Sequence, residues 1–125
     1  MEALSVVGAE YGCGTVFKLD PTGKKTVLYA FRGKMDGIAP NPHLIRDDAG
    51  NFYGTTSSGG DRYYDRTIFK LDSTGKETIL HRFNRLDGSR PEGGVIRDVA
   101  GNLYGTTTYG GSYANPEGTV FKLTP

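Results

Sequence analysis

The sequence predicts an all-β fold made of four-stranded antiparallel sheets of the β-propeller blade type, present here as an incomplete propeller. Two observations carry this expectation. The first is a long repeat. Thr15-Val16-Phe17-Lys18-Leu19-Asp20 recurs as Thr67-Ile68-Phe69-Lys70-Leu71-Asp72 and again as Thr119-Val120-Phe121-Lys122-Leu123, with a step of 52 residues each time. Ala49-Gly50-Asn51-Phe52-Tyr53-Gly54-Thr55-Thr56 recurs as Ala100-Gly101-Asn102-Leu103-Tyr104-Gly105-Thr106-Thr107 after 51 residues. A period of this length marks supersecondary units that stack on one another. The second observation is that each period holds four short strand patterns divided by turn residues, with no helical periodicity.

The first strand is predicted over His43–Asp47, with Gly94–Asp98 as its copy. The second spans Asn51–Thr56. The third, Thr67–Asp72, alternates Ile68, Lys70 and Asp72 against Phe69 and Leu71. The fourth spans Glu77–Phe83. Asp48-Ala49-Gly50-Asn51 and Asp72-Ser73-Thr74-Gly75-Lys76 supply the Gly and Asn that hairpins need at positive φ. The one-residue difference between the two steps falls between Phe31–Gly37 and Phe83–Gly88, and length changes belong in loops. A β-solenoid is the structural alternative, but its coils are shorter than this period. The phase gives a partial blade over 1–31 (the last two strands), a complete blade over 32–83 and a partial blade over 84–125 (the first three strands). A closed propeller needs about four to eight blades. The chain is therefore expected to belong to a larger array, with self-association as the alternative.

Composition fits this palette and excludes several functions. Nineteen Gly, eight Tyr and six Phe with no Trp suit short strands and tight turns. Fifteen basic against fourteen acidic residues leave a net charge of +1, spread without a cluster, which argues against a nucleic-acid partner. Cys13 is the lone cysteine, and His43 and His81 are isolated in sequence, so neither a disulfide nor a zinc site is expected. No apolar run is long enough for a membrane span. Residues 1–8 lack the basic region of a signal peptide. No cofactor motif is present: Gly59-Gly60 and Gly110-Gly111 are not followed by Lys-Ser/Thr, and no Gly-x-Ser-x-Gly elbow identifies a nucleophile.

The string Gly-Thr-Val-Phe-Lys-Leu, then Asp-Gly-x-x-Pro, then Ala-Gly-Asn-Leu-Tyr-Gly-Thr-Thr-x-x-Gly-Gly resembles the GloVer tandem repeat of bacterial proteins, from Gly8 onward. It is more distantly similar to NHL-type blades. The resemblance implies a larger repeat protein, extracellular or on the cell surface, and brings no catalytic residues with it.

Candidate ligand residues follow from the blade geometry. Loops Arg32–Asn41, Asn84–Glu92, Ser57–Arg66 and Thr108–Glu117 would share the binding face. Asp36 and Asp87 would stand at equivalent places there, either as a ring of carboxylates for a cation or polar ligand or as Asp-Gly turn residues. Arg46 and Arg97 end the first strand, either facing a central channel to bind anions or pairing across strands, with Asp47 and Asp98 capping the turn. Tyr63, Tyr64, Tyr109 and Tyr113 would form an aromatic surface for a sugar or protein. The expected function is a non-catalytic binding or scaffold module, with neighbouring blades or self-association as partners and carbohydrate or protein as ligand. The alternatives are part of a propeller enzyme of the metal-assisted lactonase or hydrolase type, and a lectin-like propeller.

Overall fold

The computed structural model describes residues 2–5 (as backbone), 13–33, 36–58, 66–84, 87–111 and 117–125. Every regular element among them is a strand. β1 (Glu2–Ser5), β2 (Thr15–Leu19) and β3 (Lys25–Ala30) form a first antiparallel sheet in that order. β4 (Ile38–Pro40), β5 (Ile45–Arg46), β6 (Phe52–Ser58), β7 (Thr67–Leu71) and β8 (Glu77–Arg82) form the second. β9 (Val95–Arg97), β10 (Leu103–Thr107) and β11 (Thr119–Leu123) form the third.

Except for β4 and β5, which both pair with β6, successive strands within each sheet are hydrogen-bonded neighbours, so short turns suffice to connect them. Asp72 shows how the sequence writes one such turn. Its Oδ1 accepts from Thr74 N at 2.9 Å, Thr74 Oγ1 at 2.6 Å and Lys76 N at 3.0 Å. Asp20 makes the same set with Thr22 and Lys24 in the first sheet. The hairpin between β5 and β6 uses a second clasp. Asp47 takes the Asn51 backbone N–H at 2.9 Å, the Asn51 amide at 2.9 Å and the Tyr53 hydroxyl at 3.1 Å. Asp98 repeats this with Asn102 and Tyr104 at 2.9, 3.0 and 2.9 Å. The carboxylates stay charged because their partners are donors. The Asn51 and Asn102 side chains lead in holding Asp47 and Asp98 down to about 2.

The sheets are apolar on both faces and stack. Val16 and Phe31 of the first sheet share a buried cluster with Phe52, Phe69 and Leu71 of the second. On the other face of the second sheet, Tyr53, Ile68 and Phe83 share a cluster with Val95 and Leu103 of the third. Residue alternation in β6 and β7 separates the two sets, because neighbours such as Ile68 and Phe69 point to opposite faces. The stacking contact itself repeats. The Phe31 and Phe69 rings meet edge to face at 5.3 Å, and Phe83 and Phe121, each 52 residues later, do so at 5.3 Å. Gly54 and Gly105 make room for these rings: a Cβ at either would lie 2.8 or 2.6 Å from the Phe69 or Phe121 Cζ.

Three details differ from the sequence expectation. The first sheet holds three strands, not two: Glu2–Ser5 pairs with β2, and Glu2, Ala3 and Leu4 do so in the register that Tyr53, Gly54 and Thr55 use on β7. Glu2-Ala3-Leu4-Ser5 lacks the Gly-Asn-x-Tyr-Gly-Thr-Thr signature, so only pairing exposes it. β4 lies in what reads as loop Arg32–Asn41. It pairs with the far half of β6 (Ile38 with Ser58, Pro40 with Thr56), whereas β5 pairs with the near half. The equivalent contact in the third sheet is a single bridge between Ser89 and Tyr109. Pro40 and Pro91 cannot continue a ladder, and the residues before them, Ala39 and Arg90, adopt positive φ of 56° and 59°. The predicted first strand shrinks to Ile45–Arg46 for the same reason. Its amino-terminal side is given over to the turn that carries the chain from β4 to β5.

Burial at equivalent sites differs sharply, which yields a test. Ile68→Ala, fully buried, should cost about 2–5 kcal/mol in denaturant unfolding. Val120→Ala, 84% exposed on the third sheet, should stay within about 0.5 kcal/mol. Equal losses would contradict the burial assigned here.

Candidate functional site

The loops between β3 and β4 and between β8 and β9 each close on an aspartate. Asp36 Oδ2 accepts from the Tyr29 hydroxyl at 2.7 Å and the Arg32 backbone N–H at 3.0 Å. Asp87 repeats the plan: its Oδ2 lies 2.7 Å from His81 Nε2, and its Oδ1 takes the Asn84 N–H at 2.8 Å. Tyr29 and His81 are equivalent, and each packs edge to face on the next ring of its strand, Phe31 or Phe83. The two expected ligand carboxylates are therefore engaged in bracing their own loops. Sequence spacing hides the His81–Asp87 pair, since six residues and a strand end separate its members. It overlooks a cleft of about 160 Å³ between the second and third sheets, beside Phe83 and Phe121. No group of three metal-ligating side chains occurs among the described residues.

Arg46 lies over the Phe52 ring across the strand pair, at 5.8 Å. Arg97 is exposed, with its guanidinium beside Gly101. Arg97 also reaches the Tyr53 hydroxyl of the second sheet, where its charge favours the phenolate. Tyr63, Tyr64 and Tyr113 lie outside the described residues. Tyr109 is 47% exposed, and the Arg90 guanidinium sits 5.1 Å from its ring centre.

Around Tyr109 the repeat is broken. Arg66, at the start of β7, stands where the other copies have Gly14 and Gly118. Ser89, Arg90 and Tyr109 stand where the preceding copy has Ile38, Ala39 and Ser58. The structure gathers these departures at one end of the second and third sheets. Arg66 Nη1 donates to Ser89 Oγ at 2.8 Å, and Ser89 and Tyr109 exchange backbone hydrogen bonds at 2.7 and 3.1 Å. Burial lowers the Arg66 pKa from its ordinary value, the nearby Arg90 cation adds to the effect, and Glu92 opposes it. Arg66 Nε is buried without a hydrogen-bond partner among the described residues. Below the cluster, Asn41 and Thr55 both donate to the Pro91 carbonyl, at 3.3 and 2.8 Å, and Ser57 donates to Asn41 at 2.7 Å. This polar network fixes the loops of adjacent sheets against each other. Tyr109 belonged to the sequence-level candidates. Arg66, Ser89 and Arg90 did not, although their mismatch with the repeat marks them.

A second polar group sits between the first two sheets. Glu77 of β8 faces Tyr29 and Arg82, and burial pushes its carboxyl up to about 7. The Tyr29 hydrogen bond opposes that rise and the Asp36 charge adds to it. Asp36 Oδ1 and Glu77 Oε1 are buried without partners among the described residues, so a proton on Glu77 relieves a costly pair.

A stack of equivalent antiparallel sheets, identical in its turn clasps and different in its loop ends, defines a tandem-repeat protein. The chain belongs to the Gloeobacter/Verrucomicrobia repeat family, which it matches over residues 3–125. No curated protein and no solved structure matches it.

The Glu77 shift has a definite sign. Its folded pKa of about 7 exceeds the ordinary 4.5, so the folded state holds the proton more tightly. The resulting stability is complete below pH 4.5 and disappears as pH rises through 7. Melting temperatures should therefore fall across that window for the wild type relative to Glu77→Gln. Parallel curves would contradict it. Asp47 and Asp98 act only at lower pH, between the usual 3.8 and about 2.

Proposed function

We propose that the chain is a non-catalytic binding module whose sheets are propeller-type blades, distantly like NHL blades, of a larger extracellular or surface-exposed repeat protein. The loops at the Tyr109 end take a carbohydrate ligand. One observation carries this reading: two arginines, a serine and an exposed tyrosine that depart from the repeat meet at one end of the sheets. Arg66, Ser89, Arg90 and Tyr109 come from three separate segments, yet they meet. The frame brings Ser89 and Tyr109 together as it does Ile38 and Ser58, and the side chains placed there supply the chemistry.

The chemistry of the group favours sugars bearing a carboxylate. An exposed tyrosine ring offers an apolar platform with a polar tip, suited to the C–H face of a pyranose. Two neighbouring guanidiniums supply planar donors that match a carboxylate or a pair of hydroxyls. An incoming anion would also relieve the repulsion between Arg66 and Arg90.

Calorimetry against matched acidic and neutral oligosaccharides tests the proposal. Binding of the acidic set is expected. Tyr109→Ala and Arg90→Ala should each weaken it at least tenfold, or about 1.4 kcal/mol, while Arg46→Ala leaves it unchanged. Binding that ignores Tyr109 and Arg90, or no binding to any member, would sink the proposal.

A further inference from the structure

Tyr29 of β3 stands between two carboxyl groups. A tyrosine hydroxyl has a single hydrogen to give, while its oxygen can accept another. Tyr29 gives its hydrogen to Asp36 Oδ2 at 2.7 Å. Glu77 of β8 hydrogen-bonds the same hydroxyl from the second sheet. The phenolic hydrogen is already committed to Asp36, so the bond between Glu77 and Tyr29 needs a hydrogen from Glu77 itself. Asp36 Oδ1 and Glu77 Oε1 are buried without partners among the described residues. An ionised Glu77 would therefore set a second, poorly solvated charge against Asp36. Burial favours the neutral acid most strongly, the Asp36 charge adds to this, and Tyr29 and Arg82, at the far end of β8, act against it.

The group occupies the seam that the chain crosses between sheets. Asp36 lies between β3 and β4, in the segment that leads from the first sheet to the second, and it also takes the Arg32 backbone N–H at 3.0 Å. The other copies lack this arrangement. Asp87 meets His81 instead of a tyrosine. By register, Lys25 stands across from Leu19 where Glu77 stands across from Leu71.

We propose that Glu77, Tyr29 and Asp36 form a proton-gated latch between the first two sheets, in which the Glu77 acid donates to the Tyr29 hydroxyl and that hydroxyl donates to Asp36. Loss of the Glu77 proton to solvent breaks the first bond, turns a second negative charge on Asp36 and releases the segment between β3 and β4. The latch is closed below neutral pH and opens above it, because the folded carboxyl titrates at about 7 and not at the ordinary 4.5. It uses none of the residues around Tyr109, so it stands apart from the carbohydrate reading.

Amide hydrogen exchange, followed by NMR and read as protection factors from about pH 5 to about pH 9, tests the latch. The Arg32 N–H should lose protection at least about tenfold across that range. The Lys24 N–H, held in the same manner by Asp20 Oδ1 at 2.9 Å, should keep its protection. Glu77→Gln, whose amide donates as the protonated acid does, should keep Arg32 protected throughout. Tyr29→Phe, which cuts the chain of bonds at its middle, should leave Arg32 poorly protected throughout. Constant protection of Arg32 in the wild-type chain overturns the proposal. So does a loss that persists in Glu77→Gln or in Tyr29→Phe, or one matched at Lys24, which would be a general property of aspartate-held amides.

Discussion

A sheet with phenylalanine, leucine and isoleucine on both faces cannot be covered by its own turns. β7 shows the constraint most plainly: Ile68 points one way, Phe69 and Leu71 the other, and all three are buried. Burying such side chains is worth about 1.5–3 kcal/mol each, and here that gain requires a sheet on either side. The edge-to-face contacts of Phe31 with Phe69 and of Phe83 with Phe121 are where the requirement is met. Everything else is arranged around them. Gly54 and Gly105 lie where the rings cross, and the Asp-centred turns keep strands short enough for the stack to repeat in register.

The second consequence concerns which residues are free to vary. Positions in the turn clasps and ring contacts are held by geometry. The aspartates of the Asp-Gly-x-x-Pro segment belong to that group: in both copies they hold a strand residue and a loop N–H. The same segment absorbs an unusual backbone at Ala39 and Arg90. One copy places alanine there and the other arginine, so the strain belongs to the frame while the side chain is left to the surface. A ligand site built on such a frame uses positions where copies disagree.

Much of the fold was legible in the sequence because turns and ladders are local. Asp-x-x-Gly-Asn and Asp-x-Thr-Gly-Lys announce hairpins, and alternation in Thr67–Leu71 assigns its faces. What escaped was non-local or unmarked. β1 carries none of the repeat's signature and is defined by its pairing with β2. β4 is three residues ending in proline, below what a pattern can register. The site was less legible still. Asp36 and Asp87 stand out by recurrence, yet recurrence reports structure here. His81 reads as isolated until strand β8 and the following loop bring Asp87 to it. Arg66 meets Ser89 across two sheets, a contact that spacing along the chain does not encode.

The central claim is that one sheet-to-sheet contact is made twice. Double-mutant cycles on Phe31 with Phe69 and on Phe83 with Phe121 measure it directly. Coupling of about 0.5–1.5 kcal/mol, similar for the two pairs, is the predicted result, with none between Phe31 and Phe121. Coupling in one pair alone, or across the Phe31–Phe121 pair, would contradict it.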